Sequence, residues 1–530
     1  MKPRVSKPQA GAPRSISFWD KVTGAKPLAI KSNTKYEAII ILADGLNKPL
    51  DAFKYCQLLA PSGLLFVFGA PGQLPAIAVA LESQLTFKYW IAIKTESVEK
   101  KGHGHKGLLL FCREDKFQIN KVRIPHPRCK QCKKTLRDWG GKSHLMHPDG
   151  SALSDVWSDI AIDPHDQLPA VVLNRVTAMA GLNKDRRGLI AFGEPAHGRI
   201  IKAHSASFSA DPDKIQKFDK VYQGDCLEIM RGFKSESVDL AFADPPYNLA
   251  KNYQVISDDQ KDSDYIDWCN GWLTEYVRVL KPGGSLFVLN LPKWASHHFV
   301  FLNTIARFHR WIAWDALSEP RGKLMPAHYA LLHFVRNGRP VRENTNLSAA
   351  AHEYCVRATC VNQRNAGKID DTVPLGDIWS DVFRLKHKSA RDSHPCQLPE
   401  KLMERIIKLA TNPGDVVLDA FCGAGTTAVT AARLGRRYIT IDINPDYVAM
   451  TMRKLKSLAA GQLPDRRFVS RPRPAYSKKD LQMELQRIAM KLGRLPGEKE
   501  IERFSSFPMA AYRTTFPTLG KALKAAKLVT

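Results

Sequence analysis

A duplicated α/β fold with a small helical domain at its C-terminal end is what this 530-residue chain predicts, and three observations carry the prediction. Segments of the first half recur in the second at a nearly constant spacing. The apolar run Val416-Val417-Leu418 leads into Asp419-Ala420-Phe421-Cys422-Gly423-Ala424-Gly425-Thr426-Thr427, the strand, glycine-rich turn and helix start of a nucleoside-binding α/β unit. Beyond residue 477, Leu481, Leu485, Ile488, Ala489 and Leu492 recur at helical spacing until Gly493-Arg494-Leu495-Pro496 ends the helix.

Length and charge bound what such a chain can do. At about 150 residues per domain it holds three or four domains, each able to bury a core. Its 79 Lys and Arg outnumber 52 Asp and Glu, a net charge of +27 that makes a polyanion the natural partner and predicts salt-sensitive association. No stretch has the apolar length needed to span a bilayer, so nucleic acid is expected and membrane is not. Met1-Lys2-Pro3-Arg4-Val5-Ser6-Lys7-Pro8 is basic and lacks the apolar run of a secretory signal, which predicts a cytoplasmic protein. The ten cysteines are scattered, so no disulfide framework is expected. Cys129-Lys130-Gln131-Cys132 has the spacing of half a zinc site, with His126, His144 and His147 nearby but no second Cys-x-x-Cys. These thiols are read as reduced and unligated, and no metal is expected.

Taken in order, residues 1–34 read as a basic, proline-rich tail and 35–182 as a worn copy of the catalytic half. Pro61-Ser62-Gly63-Leu64-Leu65-Phe66 precedes Pro282-Gly283-Gly284-Ser285-Leu286-Phe287 by 221 positions, and Phe87-Lys88-Tyr89-Trp90 precedes Phe308-His309-Arg310-Trp311 by the same interval. Asp155-Val156-Trp157-Ser158-Asp159 precedes Asp377-Ile378-Trp379-Ser380-Asp381 by 222, and Gln167-Leu168-Pro169 precedes Gln397-Leu398-Pro399 by 230. The copy has lost its chemistry: Ala43-Asp44-Gly45-Leu46-Asn47 stands where the second half has Ala243-Asp244-Pro245-Pro246-Tyr247-Asn248. Asp44 is therefore read as an acid closing a strand.

Residues 183–218 are polar and read as a connector, and 219–460 as the catalytic domain. In that domain Val238-Asp239-Leu240-Ala241-Phe242-Ala243 is strand-like and ends on Asp244-Pro245-Pro246-Tyr247. A carboxylate, a rigid double proline and an aromatic ring can hold a planar exocyclic amine while its base is stacked. Lys281-Pro282-Gly283-Gly284-Ser285 reads as an architectural turn, and Trp268, Trp272, Trp294, Trp311 and Trp314 as core. Tyr438-Ile439-Thr440-Ile441-Asp442 is the strand after the glycine turn, and its acid lies 19 residues beyond Gly423, close to the roughly 20 expected of a carboxylate receiving ribose hydroxyls. The basic, proline-broken stretch 461–476 is a linker, and 477–530 is the helical module. Residues 461–530 hold 15 Lys and Arg against 6 Asp and Glu, a surplus of nine positive charges in a small part of the chain.

The Asp244-Pro245-Pro246-Tyr247 motif followed, after roughly 170 residues, by Asp419 to Thr427 resembles the β class of DNA amino-methyltransferases. The resemblance implies a Rossmann-like sheet, circularly permuted in its strand order, with S-adenosylmethionine as cofactor and double-stranded DNA as partner. It implies that Asp244 and the Pro245 carbonyl accept the target amino hydrogens and that Pro246 stiffens the loop. Tyr247 would stack on a base flipped from the duplex. It also places Asp225, Asp419, Phe421, Gly423, Gly425, Thr426, Thr427 and Asp442 around the cofactor, Gly423 and Gly425 by permitting close backbone approach. Asp225 equally suits a turn acid after a strand. The target-recognition region is implied at about 300–390, where Arg321-Gly322-Lys323, Arg336-Asn337-Gly338-Arg339 and Lys386-His387-Lys388 supply cations. His394-Pro395-Cys396-Gln397-Leu398-Pro399 departs from the family pattern, which has lysine before the second proline. The acid in Asp-Pro-Pro-Tyr leans towards N6 of adenine; N4 of cytosine is the alternative, and a DNA-binding scaffold without catalysis is an alternative of another class. A restriction nuclease reading the same site is a further partner the resemblance allows. From Leu481 to Val529, Leu492-Gly493-Arg494-Leu495-Pro496, Tyr512-Arg513-Thr514-Thr515-Phe516 and Ala522-Leu523-Lys524-Ala525-Ala526-Lys527-Leu528 resemble the homing-endonuclease-associated repeat, a small DNA-binding module.

Overall fold

Runs of β-branched and large apolar residues bounded by glycine and proline build two sheets in turn. The computed structural model describes residues 17–23, 34–96, 104–114, 117–129, 131–135, 146–192, 217–249, 259–316, 323–344, 347–350, 358–367, 372–382, 384, 397–462 and 478–529. Residues 1–464 form one compact unit and 465–530 another.

The first sheet contains β1 (Trp19–Thr23), β2 (Tyr36–Leu42), β3 (Leu59–Gly69), β4 (Thr86–Thr95), β5 (His105–Cys112), β6 (Val156–Ile162) and β7 (Gly188–Phe192). Their spatial order is β1-β7-β2-β3-β5-β4-β6, with β5 alone running against its neighbours. Helices α1 (Leu74–Leu81) and α2 (Ala170–Ala180) accompany it. The second sheet contains β8 (Lys220–Gln223), β9 (Val238–Ala243), β10 (Leu280–Asn290), β11 (Arg307–Asp315), β12 (His328–Val335), β13 (Ile378–Trp379), β14 (Val416–Asp419) and β15 (Arg437–Asp442). Its order is β8-β15-β14-β9-β10-β12-β11-β13, and only β12 is reversed. Helices α3 (Cys226–Arg231), α4 (Asp262–Val279), α5 (Pro292–Ile305), α6 (Ala358–Asn365), α7 (Glu400–Ala410), α8 (Thr426–Arg433) and α9 (Pro445–Ala459) belong to this half.

Strand by strand, β2 to β7 take the same neighbours and directions as β9 to β14. Side-chain contacts repeat as well. The Ala92 and Ala313 amides donate to the carbonyls of Asp155 and Asp377, each at 2.8 Å. The indoles of Trp157 and Trp379 donate to Ser154 and Gly376 carbonyls, again at 2.8 Å. The guanidinium of Arg175 lies over Trp157 and pairs with Asp159, while that of Arg405 lies over Trp379 and pairs with Asp381. Among the described residues the first sheet has no strand in the place of β15, and β1 lies directly on β7.

The first sheet reaches beyond the expected boundaries of 35–182. Its edge strand β1 comes from the stretch read as tail, and its inner strand β7 from the stretch read as connector. Burial explains both. Leu189, Ile190 and Ala191 are sealed between β1 and β2, and Trp19 packs inward with its indole donating to Thr177 Oγ1 on α2 at 2.9 Å. The rest of the tail and connector, 1–16, 24–33 and 193–216, and the linker from 463 to 476 lie outside the described residues.

The two sheets meet through equivalent parts. Helix α1 packs on α5, and Trp90 stacks on Trp311 with ring centres 3.8 Å apart and planes 13° from parallel. Such aromatic pairs contribute about 0.5–1.5 kcal/mol beyond their buried area. Each element facing its own counterpart is the geometry of an isologous dimer. Asp155 seals the junction, its carboxylate receiving the Ala327 and His328 amides at 2.7 and 3.0 Å, and burial pushes its carboxyl up to about 8.

Alternation along the buried parallel strand β9 sets the layers. Leu240 and Phe242 pack with Leu402, Met403 and Ile406 of α7 on one face, whereas Ala241 and Ala243 join Trp272, Tyr276 and Leu302 of α4 and α5 on the other. From β9 the chain moves to β10 on one side, and from β14 to β15 on the other, so the sheet changes winding direction between β14 and β9. A crevice at the C-terminal ends of the strands opens at such a point.

Among the described residues the second unit contains only helices: α10 (Lys478–Leu492), α11 (Glu498–Phe504), α12 (Met509–Thr515) and α13 (Leu519–Ala525). They close around Leu481, Leu485, Ile501, Tyr512, Phe516 and Leu523. Helix α10 ends where the sequence predicts, with Gly493 at φ 66°. No described helix is long and apolar enough to cross a membrane.

Candidate active site

Four parallel strands, β8, β15, β14 and β9, end at one edge, and each ends on or near an acid: Asp225, Asp442, Asp419 and Asp244. A cavity of about 270 Å³ lies there. It is bordered by Asp225, Asp244, Pro245, Pro246, Tyr247, Asp419, Phe421, Gly423, Thr426, Thr427 and Asp442, which is every expected site residue except Gly425.

The loop after β9 is held in place by neighbours. Tyr247 is buried, and its hydroxyl donates to Asp244 Oδ1 at 2.6 Å. Tyr265 on α4 donates its hydroxyl to the Pro246 carbonyl at 2.7 Å and receives the Asn290 amide at 3.1 Å. Asn248, with φ at 53°, closes the loop by exchanging two hydrogen bonds with the Gln260 backbone, at 2.7 and 2.8 Å. An asparagine tolerates this left-handed geometry better than most residues.

On the cofactor side, Asp442 receives the Gly423 amide on Oδ2 at 2.7 Å and the Asn444 amide on Oδ1 at 2.8 Å. Each carboxylate oxygen can accept twice, so both retain capacity for ribose hydroxyls. Burial raises the Asp442 carboxyl above the ordinary range, against those two amides, which lower it. Asp419 is more deeply buried. Its carboxyl is pushed up to about 6 by burial, opposed by hydrogen bonds from Thr427 and the Phe421 amide, the latter at 2.9 Å. Asp225 caps α3, with Oδ1 receiving the Leu227 and Glu228 amides at 2.9 and 3.1 Å, and also borders the cavity; the turn-acid and cofactor readings share one side chain.

Gly425 does not border the cavity. At φ 76° it starts α8, and a Cβ there would come within 2.4 Å of Thr451 on α9. The close approach it permits is between turn and helix. Phe421 stands edge-on to Trp268 and Trp272, at 5.9 and 5.2 Å between ring centres.

Several cavity residues carried no site role in the sequence reading. Trp268, Tyr265, Gln397, Leu398, Ile443, Asn444 and Tyr447 all border the space. Leu398 is apolar where the family pattern has lysine; His394 to Cys396 lie outside the described residues. Trp268 was indistinguishable from core by spacing, but Ile443, Asn444 and Tyr447 follow the strand-ending Asp442 directly and were findable from that position. Among the basic candidates for target recognition, Arg336 is buried, donates to the Arg278 and Leu280 carbonyls and pairs with Glu236 at 2.8 Å, a structural arrangement. Lys323 and Arg339 are exposed, and 321–322 and 386–388 lie outside the described residues.

A glycine turn backed by the Asp442 carboxylate opens into the same space as the acid-proline-proline-tyrosine loop, the pair of features expected of an S-adenosylmethionine-dependent amino-methyltransferase. Residues 238–453 match the N6/N4 methyltransferase family model, described as DNA methylase. The type II methyltransferase M.BamHI of Bacillus amyloliquefaciens is 39% identical over 229 residues, 42% of this chain and 54% of that protein, so the match spans about half of its length. The DNA adenine methyltransferase YhdJ of Escherichia coli (strain K12) is 33% identical over 248 residues, 44% of this chain and 82% of YhdJ. The crystal structure of TTHA0409 from Thermus thermophilus complexed with S-adenosyl-L-methionine aligns with 46% of this chain and 94% of its own, at 23% identity and a TM-score of 0.33. The chain belongs to the N6/N4 DNA methylase family, whose members are S-adenosylmethionine-dependent DNA methyltransferases.

Proposed function

We propose that this chain methylates the exocyclic N6 of adenine within a specific sequence of double-stranded DNA. One observation carries the reading: Asp244 and Tyr247 border the same cavity as Gly423 and Asp442, so a base held by the first pair meets a cofactor held by the second. The adenine choice rests on the acid at position 244 and is supported by the similarity to YhdJ, named as an adenine methyltransferase.

The amine of adenine is a poor nucleophile because its lone pair is delocalised into the ring. Asp244 accepts one amino hydrogen and the Pro245 carbonyl the other, since the Pro246 carbonyl is already engaged by Tyr265. Two acceptors favour a pyramidal nitrogen whose lone pair points in line. S-adenosylmethionine supplies an electrophilic methyl on a sulfonium. The surplus proton would leave the nitrogen after the methyl has passed to it, so Asp244 need not take it in advance. Tyr247 stacks on the flipped base, offsetting an unstacking cost of a few kcal/mol. Single-molecule sequencing of DNA from cells expressing the protein should show N6-methyladenine confined to one sequence context. N4-methylcytosine in its place would overturn the base choice, and an absence of both, with no S-adenosylmethionine binding, would point to a scaffold.

The first sheet is, in this reading, a worn methyltransferase copy that holds the active half as a second subunit would. Support comes from the repeated strand order and the repeated Trp, Arg and Asp contacts. Asp44 is exposed and lacks the double proline and tyrosine of its counterpart.

The helical unit is proposed to grip DNA as a homing-endonuclease-associated-repeat-like module. Lys491, Lys499, Arg513, Lys521, Lys524 and Lys527 are all exposed on it. Deleting the chain after residue 476 is expected to weaken DNA binding and flatten the plot of log affinity against log salt, because fewer counterions are released. Methyl transfer at saturating DNA should survive. Equal affinity and equal slope in full-length and truncated protein would make the tail a bystander.

A further inference from the structure

We propose that Cys129, Cys132 and Cys360 hold a structural zinc ion that pins α6 to the first half of the chain. The three sulfurs lie within 4.8 Å of one another, and Cys129 Sγ is 3.8 Å from Cys360 Sγ although the residues are 231 apart in sequence. Zinc bonds thiolates at about 2.3 Å in a tetrahedron, which sets its sulfurs about 3.8 Å apart. A disulfide would need about 2.05 Å.

The backbone around Cys129 is already folded for a metal. The Gln131 and Cys132 amides donate to Cys129 Sγ at 3.3 and 3.4 Å, and Lys133 turns left-handed at φ 55°. The turn closes through the Lys133 amide on the Cys129 carbonyl at 3.0 Å and the Cys129 amide on the Lys134 carbonyl at 2.8 Å. Amides aimed at a sulfur stabilise its thiolate, the form a metal binds, and fix its orientation. Cys129 and Cys360 are buried, whereas His126 bonds the His147 carbonyl and His147 receives the Asp149 amide. An all-thiolate set selects zinc over the harder divalent ions. The three thiolates supply three corners of the tetrahedron. Helix α6 lies within the stretch expected to read DNA, so the metal would brace that region against the first half of the chain.

Full-length protein purified without a polyhistidine tag should contain about one zinc per chain by elemental analysis. Cys129→Ser, Cys132→Ser and Cys360→Ser should each lower zinc content at least about tenfold, while Cys56→Ser, buried elsewhere, should retain it. S-adenosylmethionine binding by the variants separates metal loss from unfolding. Should the serine variants fail to fold, cobalt(II) exchanged into wild-type protein provides a second readout: thiolate-to-cobalt charge transfer in the near ultraviolet with tetrahedral bands in the red. Wild-type protein with neither zinc nor those bands, or a Cys129–Cys360 disulfide in mass spectra of unreduced protein, would overturn the site.

Discussion

Replacing Asp244 with alanine is expected to reduce methyl transfer at least about 100-fold while leaving S-adenosylmethionine affinity within about twofold. The asymmetry follows from position. Asp244 closes β9 and receives the Tyr247 hydroxyl on the base side of the cavity, whereas the cofactor-side backbone amides of Gly423 and Asn444 go to Asp442. Alanine removes the acceptor that shapes the amine and leaves the glycine turn untouched. Tyr247→Phe should cost less, since the ring that stacks on the base is kept and only the hydroxyl that aims Asp244 is lost. Tritium transfer from labelled cofactor measures the chemistry and calorimetry the binding. Activity within tenfold of wild type in Asp244→Ala would remove this carboxylate from its role.

What the sequence disclosed and what it hid divide along one physical line. Features set by neighbours along the chain were legible: the apolar strand before Asp244, the strand, turn and helix around Gly423, and the end of α10 before Gly493. The recurring spacing was legible too, Trp90 and Trp311 standing 221 positions apart with similar residues around each. Contacts between distant segments were not. Nothing local distinguishes Gly188–Phe192 from a connector until β1 and β2 enclose it. Arg336 looks like any surface cation until Glu236 and two carbonyls surround it. Gly425 and Gly423 are alike in sequence, and only Thr451 of α9, lying against Gly425, separates a packing glycine from one at the cavity. Cys129 and Cys132 advertise half a site, and the third sulfur arrives only by folding.

Asp442→Ala should weaken S-adenosylmethionine binding about 10- to 100-fold, and Asp44→Ala should leave it unchanged. Two losses add in the first variant. Ribose hydroxyls lose their acceptor, and the Gly423 and Asn444 amides lose the carboxylate that orders the turn, each unmade buried hydrogen bond costing about 1–3 kcal/mol. Gly423→Val should act on the same step by another route. Its φ of 50° is a conformation that a β-branched residue strongly resists, so the turn would have to rearrange before the cofactor could approach. Asp44 follows the corresponding strand of the first sheet, is exposed, and has no β15-like strand beside it among the described residues. Calorimetry should therefore give one cofactor per chain. A stoichiometry of two would make the first sheet a working site, and an Asp442→Ala affinity within twofold of wild type would move the ribose contact to another residue.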